Sequence, residues 1–196
     1  MKFRVAIAMA TAMLLSACGI NSVPRAEEDA KAKWADVQAS YQRRADLIPN
    51  LVATVRAAAG SESKILTEVT QARSRATSVQ LAPGDLTDPA KVQAYQTAQQ
   101  TLGGSLSRLL ATVEAYPELK SQDSSKMLIR ELAGAENRIN VRIEAYNRSV
   151  QEYNTRIRTF PDAIGARVFY GAKPLVQFQA KPGADTPPDV RTELDN

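Results

Sequence analysis

A side chain that does chemistry must act as a nucleophile, an acid, a base or a ligand, and this chain is poor in all four. It has no histidine, so the commonest general base and metal ligand is missing. Its single cysteine, Cys18, allows no internal disulfide. Gly103-Gly104 is a lone pair inside a helical pattern and not a phosphate-cradling loop. Carboxylates remain, and two of them could in principle form a glycosidase-like acid and nucleophile pair. They are scattered, however, as Glu-x-Lys/Arg surface pairs on helices are. The expectation is a non-enzyme with no metal and no cofactor.

Cys18 is the residue with a chemical fate. Lys2 and Arg4 precede an apolar run from Val5 to Leu15, broken only by Thr11. That run is roughly 16 Å long as a helix, while a membrane span needs about 20 residues. It therefore reads as a secretory signal. Ordinary signal cleavage prefers small residues in an Ala-x-Ala-like arrangement, and Leu15 is too large for it. Leu15-Ser16-Ala17-Cys18 instead resembles the bacterial lipobox. The resemblance implies that residues 1–17 are removed, that the Cys18 thiol receives a diacylglycerol and that the new amine is acylated. The competing reading is an isolated structural or reactive thiol. One acyl chain binds a bilayer marginally, and two or more hold firmly. The expected partner is thus a membrane, through lipidated Cys18, with the domain in the cell envelope facing the periplasm. Gly19 in place of an aspartate favours the outer membrane in a two-membrane cell.

Charge excludes a further class. The chain has 25 Lys+Arg and 21 Asp+Glu, a formal net charge of +4. Losing Lys2 and Arg4 with the signal leaves about +2. The basic residues are interspersed with acidic ones, as on a solvated helix face. No nucleic-acid partner is expected.

The elements that position the remaining residues read as all-α. Residues 18–25 form a tether, 26–172 a helical bundle and 173–196 an extended or disordered tail rich in proline. The longest stripe runs through Leu128, Leu132, Ala135, Ile139, Ile143, Tyr146, Val150, Tyr153 and Ile157, at the helical period. Trp34, Val37, Tyr41, Ala45, Ile48, Val52 and Val55 trace another. Ile65 to Val79 and Val92 to Val113 supply two more, with Asp88-Pro89 as an N-cap and N1 pair. The architecture predicted is an elongated antiparallel bundle of about four long helices. The first is expected to be kinked or split near Pro49, which removes the hydrogen bond to the Ala45 carbonyl. That carbonyl is left either to a simple kink or to a deliberate use.

Four blocks then resemble the LemA family of bacterial envelope proteins. They are Arg43-Arg44-Ala45-Asp46-Leu47-Ile48-Pro49-Asn50-Leu51-Val52; Tyr116-Pro117-Glu118-Leu119-Lys120; Glu131-Leu132-Ala133-Gly134-Ala135-Glu136-Asn137-Arg138-Ile139; and Tyr146-Asn147-Arg148-Ser149-Val150 leading through Tyr153-Asn154 to Phe160-Pro161. The resemblance spans Ala26 to Phe178. It implies an antiparallel helical bundle and no particular reaction. Many relatives carry an N-terminal transmembrane helix where this chain carries a lipoprotein signal.

These blocks suggest specific contacts. Tyr146, Tyr153 and Phe160 are seven apart, as are Asn147 and Asn154, so each set is expected on one stripe. The set reads either as a core seam whose asparagines fix helix register or as a polar groove for a peptide or glycan strand. Arg43 and Asp46 are within reach of each other, and Arg43 or Arg44 is expected to pair with Glu131 or Glu136. The Tyr116-Pro117 turn is either structural or a docking surface. The function expected is a lipid-anchored scaffold or adaptor with an envelope protein or cell-wall partner. A wall hydrolase using paired carboxylates and a self-associating structural protein are the alternatives.

Overall fold

A computed structural model describes residues 21–59, 64–114 and 123–179. Cys18, Tyr116, Pro117 and the tail beyond residue 179 lie outside these residues. The fold is all-α: α1 (Ser22–Ala59), α2 (Lys64–Ser78), a 3-10 turn (Pro83–Thr87), α3 (Pro89–Glu114), α4 (Asp123–Arg156) and the short α5 (Asp162–Gly165), which runs into a π-turn over Ala166–Tyr170.

Helix α1 starts four residues before the expected Ala26, because its apolar stripe continues backwards. Val23, Ala26, Ala30, Trp34, Val37 and Tyr41 are all buried at steps of three or four. The N-terminal tether is correspondingly shorter than the sequence suggested. α1 pairs antiparallel with α4 over most of its length, as the Arg44–Glu136 and Asp36–Arg142 ion pairs show. α2 and α3 form a second antiparallel pair, bridged by Arg108–Glu68 and Gln99–Ala76.

Pro49 does not split α1, which is helical on both sides of it. The carbonyl that Pro49 leaves free is in use: the Arg73 Nε–H of α2 donates to Ala45 O at 2.8 Å. The missing backbone bond of one helix thus becomes a cross-helix bond to its neighbour. Arg73→Ala should strand that carbonyl and cost about 1–3 kcal/mol. In a Pro49→Ala background the restored backbone N–H can take the carbonyl, so the cost should fall. Urea unfolding of the four proteins in this cycle measures the difference, and equal costs in both backgrounds would refute the coupling.

The core has two parts. One is aromatic, built on Trp34, Tyr95, Tyr146, Tyr153 and Phe178. The other is aliphatic, built on Ile48, Leu51, Leu66, Leu102, Leu109 and Leu132. Beyond α4 the helical period fails. Tyr146 and Tyr153 are buried, but Phe160 is 81% exposed, because α4 ends at Arg156 and the third aromatic of the seven-residue series falls outside the helix. Gly171, at φ 54°, takes a left-handed turn that suits glycine. It redirects residues 171–179 into an extended strap. Residues 173–179 of the expected extended tail are therefore docked, with Leu175 and Phe178 buried.

Candidate functional site: a polar layer and a docked strap

The two cores meet at a polar layer centred on Arg44. Core positions on three helices step from 41 to 48, from 95 to 102 and from 132 to 139. Between them stand Arg44 and Gln99, both buried, and Glu136 at the half-buried edge of the α4 stripe. Arg44 is 2% exposed. Its Nη1–H donates to Glu136 Oε2 at 2.9 Å, and its Nη2–H donates to Gln99 Oε1 at 2.8 Å and Gln99 O at 3.2 Å. The guanidinium also lies 5.1 Å from the Tyr41 ring centroid, a cation–π distance. Gln99 then donates through Nε2 to Ala76 O at 3.1 Å, satisfying an orphan carbonyl in the last turn of α2. One side chain from each of α1, α3 and α4 is thereby linked to α2.

Beside this layer is a cavity of about 300 Å³ lined by Tyr41, Arg44, Gln96, Gln99, Glu136 and Phe178, among others. Two buried N–H groups on its wall, Arg44 Nε and Gln96 Nε2, have no hydrogen-bond partner. Burial holds the nearby phenols protonated: the Tyr95 hydroxyl is pushed up to about 12 and those of Tyr41 and Tyr146 are raised as well. None of the three is an acid or base at neutral pH.

The asparagines of the seven-residue series hold the strap. Asn154 Nδ2–H donates to Leu175 O at 2.8 Å and its Oδ1 accepts from Leu175 N–H at 2.9 Å. Asn147 does the same with Phe178, at 2.9 and 2.8 Å. Each amide side chain thus reads one residue's backbone as a neighbouring β-strand would. The spacing explains the fit. Seven residues of helix rise about 10.5 Å, and three residues of extended chain span about 10 Å. Tyr146 Oη–H adds a bond to Val176 O at 3.0 Å, and Val176 N–H donates to Leu86 O at 2.9 Å. Phe178 then packs on Trp34 and Tyr146, with ring centroids 5.5 and 5.6 Å away. The sequence offered helix register or a foreign strand as partner for these asparagines; the partner is the chain's own strap.

Other signature residues are placed differently. Of the expected Arg–Glu combinations, Arg44 with Glu136 forms, while Arg43 and Glu131 are exposed. Asp46 accepts from Gln42 at 2.7 Å instead of pairing with Arg43. Arg43, Asp46 and Arg138 come together around a shallow groove on the face of the α1–α4 pair, with Asp36 and Arg142. Asn50 and Asn137 are exposed, and Asn50 O accepts from Thr54 Oγ1–H. Sequence reasoning placed Trp34 on an apolar stripe but missed Gln38 and the bonds both donate to Leu81 O, at 3.1 and 3.2 Å, which fix the loop beneath the strap. It also missed Gln99. Its signal was a polar residue at a core step of the α3 stripe.

The geometry defines a class: an antiparallel helical bundle whose halves are joined by a buried polar layer and closed by an asparagine-held strap. The sequence profile of the LemA family matches residues 33–191, and the chain belongs to that family. It is 31% identical over 188 residues to the magnetosome protein MamQ of Magnetospirillum gryphiswaldense, covering 85% of this chain and 68% of the relative. A second relative, magnetosome protein MamQ 2 of Paramagnetospirillum magneticum, is 30% identical over 185 residues, covering 85% and 67%.

Proposed function

We propose that the chain is a lipid-anchored, non-enzymatic scaffold or adaptor of the cell envelope. It presents a rigid helical bundle to an envelope protein or cell-wall partner, from the outer membrane where the cell has two. The observation that carries this reading is Leu15-Ser16-Ala17-Cys18 at the end of a short apolar run, four residues before a 38-residue helix begins. Family membership supports a helical envelope protein. The names of the MamQ relatives refer to a cell structure and to no reaction, which fits a non-enzymatic role. Many of the acids that a hydrolase would need are engaged in ion pairs: Glu27 and Glu28 with Lys31, Glu136 with Arg44, and Glu152 with Arg156. No described helix is long and apolar enough to cross a membrane, so membrane attachment through these residues would need another device. Acylation of Cys18 supplies it, at about 0.8 kcal/mol per buried CH₂.

The test is fractionation of cells expressing the full chain. The parent should sediment with membranes, and Cys18→Ala should not, while the purified variant keeps its helical circular dichroism. Membrane retention of Cys18→Ala, or a mature chain with no acyl mass on Cys18, would overturn the anchoring claim.

A further inference from the structure

The end of the bundle where α1 begins also carries an unusually apolar tip. Phe160, Ile164, Val168 and Phe169 expose 81, 56, 68 and 65% of their surface, and Tyr170 is exposed beside them. Monomeric proteins seldom leave large side chains of this kind grouped together without a use. The residues around them are basic. From Arg156 to Lys173 the chain has four basic residues and one acidic one, Asp162. Asp162 faces Arg156 at 3.8 Å, whereas Arg158, Arg167 and Lys173 are exposed and form no ion pair among the described residues. Apolar and aromatic side chains inside a basic collar match the boundary of an anionic bilayer, where rings sit at headgroup depth and cations meet lipid phosphates.

The position of the tip favours the same partner. Because α1 and α4 are antiparallel, the start of α1 lies against the end of α4: Ser22, Arg25, Ala26 and Asp29 share a surface groove with Ser149, Glu152 and Arg156. Val23 and Ala166 share the aromatic core. Cys18 precedes Ser22 by four residues, a reach of at most about 14 Å of extended chain. A second copy of the chain is a poorer partner, since a tip-to-tip contact would bring the exposed Arg158, Arg167 and Lys173 against their own copies.

We propose that residues 160–173 form a second membrane contact, inserting Phe160, Ile164, Val168 and Phe169 into the headgroup region of an anionic bilayer. The proposal rests on the anchoring reading for its cellular setting, because the acylated Cys18 brings the tip to the surface. An anchor alone is a flexible point of attachment. A second contact beside it fixes the tilt of the α1–α4 rod, which is roughly 55 Å long, and so fixes which faces a partner meets.

The test uses the unlipidated chain from residue 18 onward, carrying Cys18→Ser, with vesicles of phosphatidylglycerol and phosphatidylethanolamine. Co-sedimentation should show partition that Phe160→Ser/Phe169→Ser lowers about tenfold or more, without loss of helicity, since both side chains are exposed. Vesicles of phosphatidylcholine alone should bind more weakly, and Arg158→Glu/Arg167→Glu should remove the preference. The emission that Phe169→Trp adds to that of the buried Trp34, read as a difference from the parent, should shift to the blue on adding vesicles. Three results would overturn the proposal: no partition of the parent, equal partition of parent and double variant, or a Phe169→Trp difference emission already blue without vesicles. In the last case, a red shift on deleting residues 180–196 would identify the chain's own tail as the cover, and concentration-dependent sedimentation would identify a second copy. No acyl chain is present in this assay, so its failure leaves the Cys18 fractionation result standing, and the reverse also holds.

Discussion

Arg44→Ala is expected to destabilise the bundle by about 3–5 kcal/mol in urea unfolding, among the largest effects of any single substitution. The reason is the position of the side chain and not the ion pair alone. Glu136 keeps 38% of its side chain exposed, so it can rehydrate once Arg44 is gone, and its share of the cost is small. Gln99 is buried and its Oε1 loses its donor, while its backbone oxygen, inside α3, loses only an added bond. That stranded side-chain acceptor, the space left beside Tyr41 and the lost cation–π contact make up most of the effect. Two further variants separate these causes. Glu136→Gln keeps an acceptor for Arg44 and should cost only about 1–2 kcal/mol. Arg44→Lys keeps the charge but cannot fork between Glu136 and Gln99, so it should recover less than half of the loss. An Arg44→Lys protein as stable as the parent would show that charge alone matters and that the fork does not.

Arg44 also marks how much of the site was legible in the sequence. The helices and most of their buried stripes were readable, because long amphipathic helices repeat their apolar residues many times. An arginine of the first block pairing with Glu131 or Glu136 was readable too, since both blocks resemble the family's and lie on stripes that must face one another. The choice between Arg43 and Arg44 was not made, although the steps from Tyr41 to Arg44 and from Arg44 to Ile48 have helical spacing. A charged residue at such a step is easily assigned to the solvated face. It is buried here because Gln99 and Glu136 arrive at the same level from α3 and α4, and no single stripe contains that information. Pro49 shows the same limit. Its free Ala45 carbonyl followed from the sequence, but the donor, Arg73, lies 28 residues away and nothing local selects it. Phe160 shows the opposite failure: a seven-residue repeat was extended past Arg156, where the helix that gave the repeat its meaning ends.

The strap produces the second large effect. Asn147→Ala/Asn154→Ala removes four hydrogen bonds between α4 and residues 175 and 178. At about 1 kcal/mol each, the loss is about 4 kcal/mol, comparable to what holds an extended segment of this size. The expected result is local release and not global unfolding. The amide protons of Leu175 and Phe178 should lose their protection from hydrogen exchange, while those in the middle of α1 and α4 keep theirs. Phe178 would then leave the ring of Trp34, and the emission of that sole tryptophan should move to the red. Alanine at both positions keeps helix propensity high, so weakening of α4 itself cannot produce this pattern. Asn154→Asp is the sharper single change. It keeps the acceptor for Leu175 N–H but sets a carboxylate against Leu175 O, where the amide donated. It should release the strap further than Asn154→Ala does. Unchanged protection at Leu175 in the double variant would mean that burial of Leu175 and Phe178 holds the strap unaided, and that the asparagines only choose its register. The two outcomes bear on what the bundle can do. A strap held mainly by backbone-reading asparagines can be replaced by any extended chain that offers the same amides, whereas one held by its side chains is matched to this sequence.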